Sequence, residues 1–407
     1  MRPLLRNTVA AALGLIVAAK LAALNLADWA VRQRNLPLVA ALAPASPHAA
    51  AQAADANYAA REPKAAESLA RRALKGVALS AQALRVYGLS REAQGDLDDA
   101  AAAMATAGAL GWRDTPTQLW LLDAYARQGD MAAALERADA LARRWQHKDQ
   151  MRLVFLQAAM EPATRAIVAE RIAARPNWRP FFFDAGRLVQ PRAISEYITF
   201  LDYFARTHKE IARYEIEPFL ENLVEKSYYA EAREIWQRHA VAGQENAGNA
   251  VFDGGFSKAA LDGATERAFL FEWEFQQTPG TETRIAAPQQ RSRERALYVA
   301  SGGNIRTQMA AQTLALRPGP YVLAVEAAAD AQSAFLGSSW RVECLPGGGA
   351  LELTGSSATT DGSKRLTYRF EVPARDCAGQ RLSLWFHGDY GRAIELWVDN
   401  IEVRPAI

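Results

Sequence analysis

A multidomain chain, helices first and strands after, is the fold class this sequence predicts. Three observations predict it. Glycine, aspartate and alanine recur at a 34-residue interval in the first half. After Gly243 the composition turns to Gly, Thr and aromatic residues in segments that alternate apolar with polar. The first thirty residues carry a basic start and then a long apolar run. The expected architecture is an N-terminal membrane helix, an α-solenoid of helical repeats and a C-terminal antiparallel β-sandwich.

Size and charge agree with that layout. At roughly 150 residues per domain, 407 residues imply two or three domains. The 47 Lys+Arg and 45 Asp+Glu leave a net charge of +2, which is no global field for gripping nucleic acid. Hydrophobic residues make up 50% and charged ones 23%, so ordered cores are expected. With 2 Cys and 5 His, cysteine-rich zinc modules and iron–sulfur clusters are excluded.

The N-terminus has Arg2 and Arg6, then the apolar run TVAAALGLIVAA at 8–19, then Lys20. Those 12 residues span only ~18 Å as a helix, which suits the core of a secretion signal. Apolar character resumes past Lys20, and the 23 residues of 8–30 can span a bilayer if Lys20 snorkels to an interface. Residues 1–31 are therefore expected to be a single-pass signal anchor with the bulk of the chain outside the cytoplasm. A cleaved signal and a buried soluble helix are the alternatives. Residues 32–60 follow as an Ala/Pro-rich linker, flexible or loosely helical.

Helical repeats are expected over 61–245. Gly95-Asp96 and Gly129-Asp130 lie 34 residues apart, and Ala66, Ala100 and Ala134 keep the same interval. Ala73, Ala107 and Leu141 follow seven residues after each alanine. Gly-Asp suits the turn between two antiparallel helices, and the small residue suits the place where they touch. From 150 to 240 the frame is lost while helical periodicity continues, broken by Pro176, Pro180 and Pro191. Ser227, Tyr228, Tyr229 and Ala232 read as the turn and contact of one more degenerate repeat. Tyr87, Trp120 and Tyr125 on first helices are candidates to line a partner-binding groove. The basic run Arg137, Arg143, Arg144, His147 and Lys148 reads as a solvated helix face, with an anionic partner as the alternative.

Residues 250–407 read as the sandwich. FLFEWEF (269–275) and the segments 320–328, 338–345, 365–372, 380–387 and 393–403 are the expected strands, separated by Gly-rich turns. Cys344 and Cys377 are a candidate disulfide if the domain is exported.

The 61–145 frame resembles the tetratricopeptide repeat family. Residues 250–404 resemble the galactose-binding-like jelly rolls of bacterial carbohydrate-binding modules. Gly254-Gly255-Phe256 carries that likeness at the first strand, and Trp397-Val398-Asp399-Asn400-Ile401-Glu402-Val403 carries it at the last. The layout is also similar to bacterial envelope proteins associated with surface-polysaccharide gene clusters. That resemblance implies an inner-membrane protein facing the periplasm, with an envelope protein and a polysaccharide as partners. The likeness to the carbohydrate-binding modules implies a structural calcium on Asp399. Ser257 stands where related modules carry an acidic residue, so Asp253 would have to substitute, and no full oxygen set is legible. No other cofactor is implied.

Stacking on sugars needs aromatic faces with planar polar groups nearby. Trp385, His387, Asp389, Tyr390, Arg392 and Trp397 are the glycan-binding candidates, while Trp273 and Trp340 read as core. No nucleophile elbow, zinc-protease helix or phosphate loop is present, and a non-enzymatic binding protein is expected. One alternative is a scaffold whose sandwich only caps the helices. The other is a glycan hydrolase using Glu272 and Glu274, which would stand ~6.5–7 Å apart on one strand face.

Overall fold

The structure is a computed structural model. It describes residues 2–406 apart from 34, 43–45, 209–210, 240–247, 258–267, 288–294, 330–331, 361–362 and 389–392. The chain divides into two compact units, Met1–Arg179 and Pro180–Ile407. The composition change after Gly243 falls inside the second.

The first unit is helical: α1 (Arg2–Arg32), α2 (Leu36–Leu42), α3 (Pro47–Ala59), α4 (Pro63–Gly76), α5 (Ala81–Glu92), α6 (Leu97–Ala109), α7 (Thr115–Arg127), α8 (Met131–Arg143), α9 (Lys148–Met160) and α10 (Arg165–Ala173). Helix α1 exposes Leu15, Ile16, Val17 and Leu21, and buries Ala27 and Ala30 against Val39 and α3. Among the described residues no helix is long and apolar enough to cross a membrane.

The 34-residue frame is visible as packing. Ala66, Ala100 and Ala134 are buried on the second helix of each hairpin, as are Ala73, Ala107 and Leu141. Gly95 and Gly129 have φ of 88° and 80°, the left-handed conformation that ends the first helix. Asp96 and Asp130 then cap the second, accepting from the N–H of Asp99 and Ala133 at 3.2 and 3.1 Å. The backbone N–H of each of these aspartates also reaches back five residues, to Arg91 and Tyr125 carbonyls at 3.0 Å.

That frame extends further than expected at both ends. The stretch expected to be a linker is helix α3, started by the Ser46 hydroxyl and buried through Ala49, Ala50, Ala51, Ala53 and Ala54. Its turn uses Arg61 at φ 64° where the later repeats have glycine, and the Glu62 N–H reaches back to the Asn57 carbonyl at 2.9 Å. Beyond Gln150, Val168 on α10 is fully buried at the next 34-residue position after Ala134. The frame persists there with valine in place of alanine.

One buried cation ties three of these helices' neighbourhoods together. Arg85 on α5, with 9% of its side chain exposed, meets Asp55 of α3 at 2.9 Å and Asp114, the cap of α7, at 3.0 Å. Arg85→Met removes the cation and leaves two half-buried carboxylates facing each other. An expected loss of about 2 kcal/mol, below the range for a fully buried pair because both aspartates keep solvent contact, follows. A denaturant midpoint unchanged by this substitution would contradict the role.

The second unit joins helices to sheets. Its helices are α11 (Arg179–Asp184), α12 (Ile194–His208), α13 (Arg213–Glu225) and α14 (Tyr229–His239). Phe182, Phe183, Tyr197, Phe200, Phe204 and Phe219 form their buried aromatic core. Ser227 takes φ 67° between α13 and α14, and Ala232 is buried, as the degenerate-repeat reading expects.

The strands are β1 (Glu274–Phe275), β2 (Thr281–Ala286), β3 (Ala296–Ser301), β4 (Thr307–Leu314), β5 (Gly319–Ala328), β6 (Ser338–Leu345), β7 (Thr354–Thr360), β8 (Ser363–Val372), β9 (Gly379–Phe386) and β10 (Ile394–Pro405), with helix α15 (Gln332–Gly337) before β6. Among the described residues they form a four-stranded sheet, β1-β4-β9-β6, and a six-stranded sheet, β2-β3-β10-β5-β8-β7. Every pairing is antiparallel. Leu382, Leu384 and Phe386 of the first sheet share one core with Leu396, Val398 and Val403 of the second. Cys344 of β6 and Cys377 ahead of β9 form a disulfide inside that core.

FLFEWEF is not one strand. Phe271 adopts φ 67°, the Glu272 N–H bonds back to the Phe269 carbonyl at 3.0 Å, and only its last two residues pair. The turn sends Phe271 onto α14, where Trp236 lies 5.6 Å from it and 4.8 Å from Phe252. Arg233 stacks on Trp236 at 4.4 Å, and Arg213 of α13 pairs with Glu272 at 2.7 Å. A Cβ added to Gly379 would lie 2.4 Å from the Tyr229 ring. The sandwich and α13–α14 are therefore one packed body.

Candidate functional site

Side-chain alternation places the two candidate tryptophans outward, and the sheet order separates them. On β9, Leu382, Leu384 and Phe386 point into the core, so half-buried Trp385 stands on the outer face of the four-stranded sheet. On β10, Ile394, Leu396 and Val398 point inward, so Trp397 stands on the outer face of the six-stranded sheet. The two indoles face away from one another across the core and do not share a site. Alternation is legible in each strand, whereas the sheet that a strand joins is set by partners far along the chain. His387 follows the end of β9, half-buried; its backbone N–H donates to the Gly337 carbonyl at 3.2 Å, and its ring Nδ1 lies 3.1 Å from the Gly388 carbonyl. Asp389, Tyr390 and Arg392 lie outside the described residues.

The outer face of the four-stranded sheet is built in ranks across the strands. The first holds Ser339, Trp385 and Gln308; the second Arg341, Ser383, Ala311 and Glu274; the third Glu343, Arg381 and Thr313. Small Ser383 and Ala311, both buried, form its middle between longer side chains. The Trp385 indole N–H donates to Ser383 Oγ at 2.9 Å, which fixes the ring. The Arg341 guanidinium lies over that ring, 4.6 Å from its centroid. Arg381 grips Glu274 through two bonds of 3.3 and 2.8 Å. Among the described residues the buried Ser339 hydroxyl has no hydrogen-bond partner. An aromatic ring with a guanidinium over it, and beside it a buried hydroxyl without a partner, thus stand on this face. Sequence reading found Trp385 and missed Arg341 and Ser339. Strand alternation was the signal for both, since they flank the core residues Trp340 and Val342.

The six-stranded face is closed by its own contacts. Tyr298 packs on Trp397 at 4.9 Å and lies under Arg284 at 4.4 Å. Burial, and then the neighbouring Glu395 carboxylate, push the Tyr298 phenol above its ordinary range. Arg284 pairs with Glu282 at 2.9 Å, and Arg404 with Glu402 at 3.1 Å. Asp399 is buried beside the bulge in β10, and its carboxylate accepts from the Asn400 N–H at 2.7 Å. Asp253 is capped by the N–H and hydroxyl of Ser257 at 2.7 and 2.9 Å. Among the described residues no group of three or more His, Cys, Asp or Glu is placed to hold a metal ion. Gly254 meets Ile401 directly, accepting from its N–H at 3.0 Å, so the two segments that carried the module likeness touch each other.

The helical candidates are each engaged within the first unit. Tyr87 donates to Asp99 at 3.1 Å beneath Arg71, and the Trp120 indole donates to Glu92 at 2.9 Å. The Arg137 guanidinium lies 5.9 Å from Tyr125 and 4.2 Å from Trp112. Of the basic run, Arg143 pairs with Asp139 and Arg144 donates to the Trp112 and Arg113 carbonyls. Arg143 thus bonds along its own helix, while Arg137 and Arg144 tie α8 to the loop before α7. The expected strand face bearing Glu272 and Glu274 does not form: Glu272 sits in the turn on Arg213, and Glu274 lies on β1 against Arg381.

No family model matches the chain, and no curated protein matches it. Among solved structures, the chain is similar to one described as "CBM4 structure and function", with 16% identity over 38% of this chain and 99% of that one, TM-score 0.27. It is similar to the CBM22-1 xylan-binding domain of Paenibacillus barcinonensis Xyn10C, with 13% identity over 40% and 97%, TM-score 0.28. It is also similar to pilF of Pseudomonas aeruginosa, with 15% identity over 49% and 78%, TM-score 0.23.

Proposed function

We propose that this is a non-enzymatic binding scaffold of the bacterial envelope, whose sandwich holds glycan on the outer face of its four-stranded sheet. The tetratricopeptide-like hairpin array would bind an envelope protein, and the apolar face of α1 would hold the chain at the membrane. The setting is assembly or export of a surface polysaccharide. One observation carries the glycan reading: Trp385 is fixed by Ser383, flanked by Arg341, and placed across from a buried hydroxyl with nothing to bond. Sugar rings offer C–H faces to an indole and hydroxyls to such groups. Trp397, stacked on Tyr298, offers no comparable set.

Affinity electrophoresis in gels containing soluble polysaccharides tests this. Trp385→Ala is expected to lose retardation by about tenfold or more, and Trp397→Ala to change it by less than about twofold. Equal retardation of wild type and Trp385→Ala would reject the assignment. A second reading, a sandwich that caps the helices, is favoured by the Trp236–Phe252–Phe271 contact. The two are compatible, because that contact and Trp385 involve different strands and loops.

A further inference from the structure

We propose that the sugar bound at the Trp385 face carries a carboxylate, so that the ligand is an acidic, uronate-containing glycan. This rests on the reading of that face as glycan-binding and adds the ligand's charge.

The inference starts from an asymmetry along the face. Arg381 is committed to Glu274 by two hydrogen bonds, with Glu343 directly across from it on β6. One rank away, among the described residues, Arg341 has no carboxylate within ion-pair distance, and its guanidinium lies over the Trp385 ring. Of these two arginines on the face, Arg381 is paired with a carboxylate and Arg341 is not. A ligand with a negative group near Trp385 gains a partner there that a neutral glycan does not.

The geometry sharpens the choice of anion. A guanidinium is a planar fork of donors that matches a carboxylate with two parallel bonds. Stacking on the indole holds the plane of Arg341 without using its N–H edge, so little side-chain freedom is lost on binding. Ser339 stands directly across from Trp385 on the same strand as Arg341, one rank apart, and its hydroxyl is buried without a partner. A pyranose ring against Trp385 would bring a C5 carboxylate within reach of the Arg341 fork. An uncharged hydroxymethyl at C5 offers that fork one oxygen and no charge.

The test uses the full chain and tetrasaccharides of galacturonate and of glucuronate, each beside its own methyl ester, with xylotetraose as a neutral control. Titration calorimetry at low salt is expected to show an acid bound at least about tenfold tighter than its ester, a preference that falls as salt is added. Arg341→Gln is expected to bring the acid-to-ester ratio to about one. Arg341→Lys should restore part of it, and Trp385→Ala should weaken acid and ester together. Acid and ester bound equally by wild type, or xylotetraose bound in preference to both acids, would overturn the acidic ligand and leave the glycan face standing. No binding of any of these sugars would overturn both. The wild-type comparison needs no variant to fold.

Discussion

Gly254→Ala is expected to destabilise the second unit by about 3 kcal/mol or more, at the top of the range for overpacking. An added Cβ would fall 2.0 Å from the Ile401 carbonyl oxygen and 3.0 Å from its carbon. Both are backbone atoms of β10 beside its bulge, so no side chain can swing aside. The same clash would part the Ile401 N–H from the Gly254 carbonyl, leaving buried groups unpaired. Its neighbour is the control. A Cβ on Gly255 would meet Asp399 and Asn400 oxygens at 3.8 and 3.9 Å, ordinary contact distances, so Gly255→Ala should change stability by less than about 1 kcal/mol. Thermal unfolding of the two variants side by side decides the matter. Equal midpoints would mean that the first glycine is not the seat of the contact.

Trp236→Ala is expected to cost about 3–5 kcal/mol, the usual range for emptying a buried tryptophan site. The indole is fully buried on α14 against Phe252 and Phe271 of the sandwich segment and beneath Arg233. Its Nε1 has no hydrogen-bond partner among the described residues, so Trp236→Phe, which discards only that N–H and some volume, should cost far less. Ending the chain after residue 245 removes the same partners at once. It should expose Tyr229, Arg233 and Trp236 together and yield a protein that aggregates. A soluble, cooperatively unfolding 1–245 fragment would show that the helices do not need the sandwich.

The parts of this fold that were legible in the sequence are those where geometry forces a residue type. Gly95 and Gly129 announce left-handed turns, and the strands β6 and β8 alternate apolar with polar residues. What was hidden lay where another residue tolerates the same geometry. Arg61 takes the glycine's conformation, Val168 takes the alanine's place, and a run of alanines in α3 looks like a linker until its neighbours bury it. Strand β3 is buried on every residue, and β4 carries buried Gln312, which bonds both backbone groups of Phe252; neither shows alternation. The apolar alternation of Phe269, Phe271 and Trp273 is real, yet it serves a turn that reaches two different cores. For the candidate site, alternation found the outward side of Trp385 and Trp397. It had no means of telling that β9 and β10 join opposite sheets, because that depends on pairing with β6, β4, β3 and β5.

A contact column that returns at a constant interval is indifferent to how often it returns. Tandem duplication of one hairpin's coding sequence would give each copy a neighbour it already fits, so the length of this array is open to evolutionary change without any new interface. Asp55, Arg85 and Asp114 have no such copies at the 34-residue interval. A hairpin inserted between α5 and α7 would pull Arg85 away from Asp114. Growth by recombination is therefore free toward α10 and penalised at the clasp.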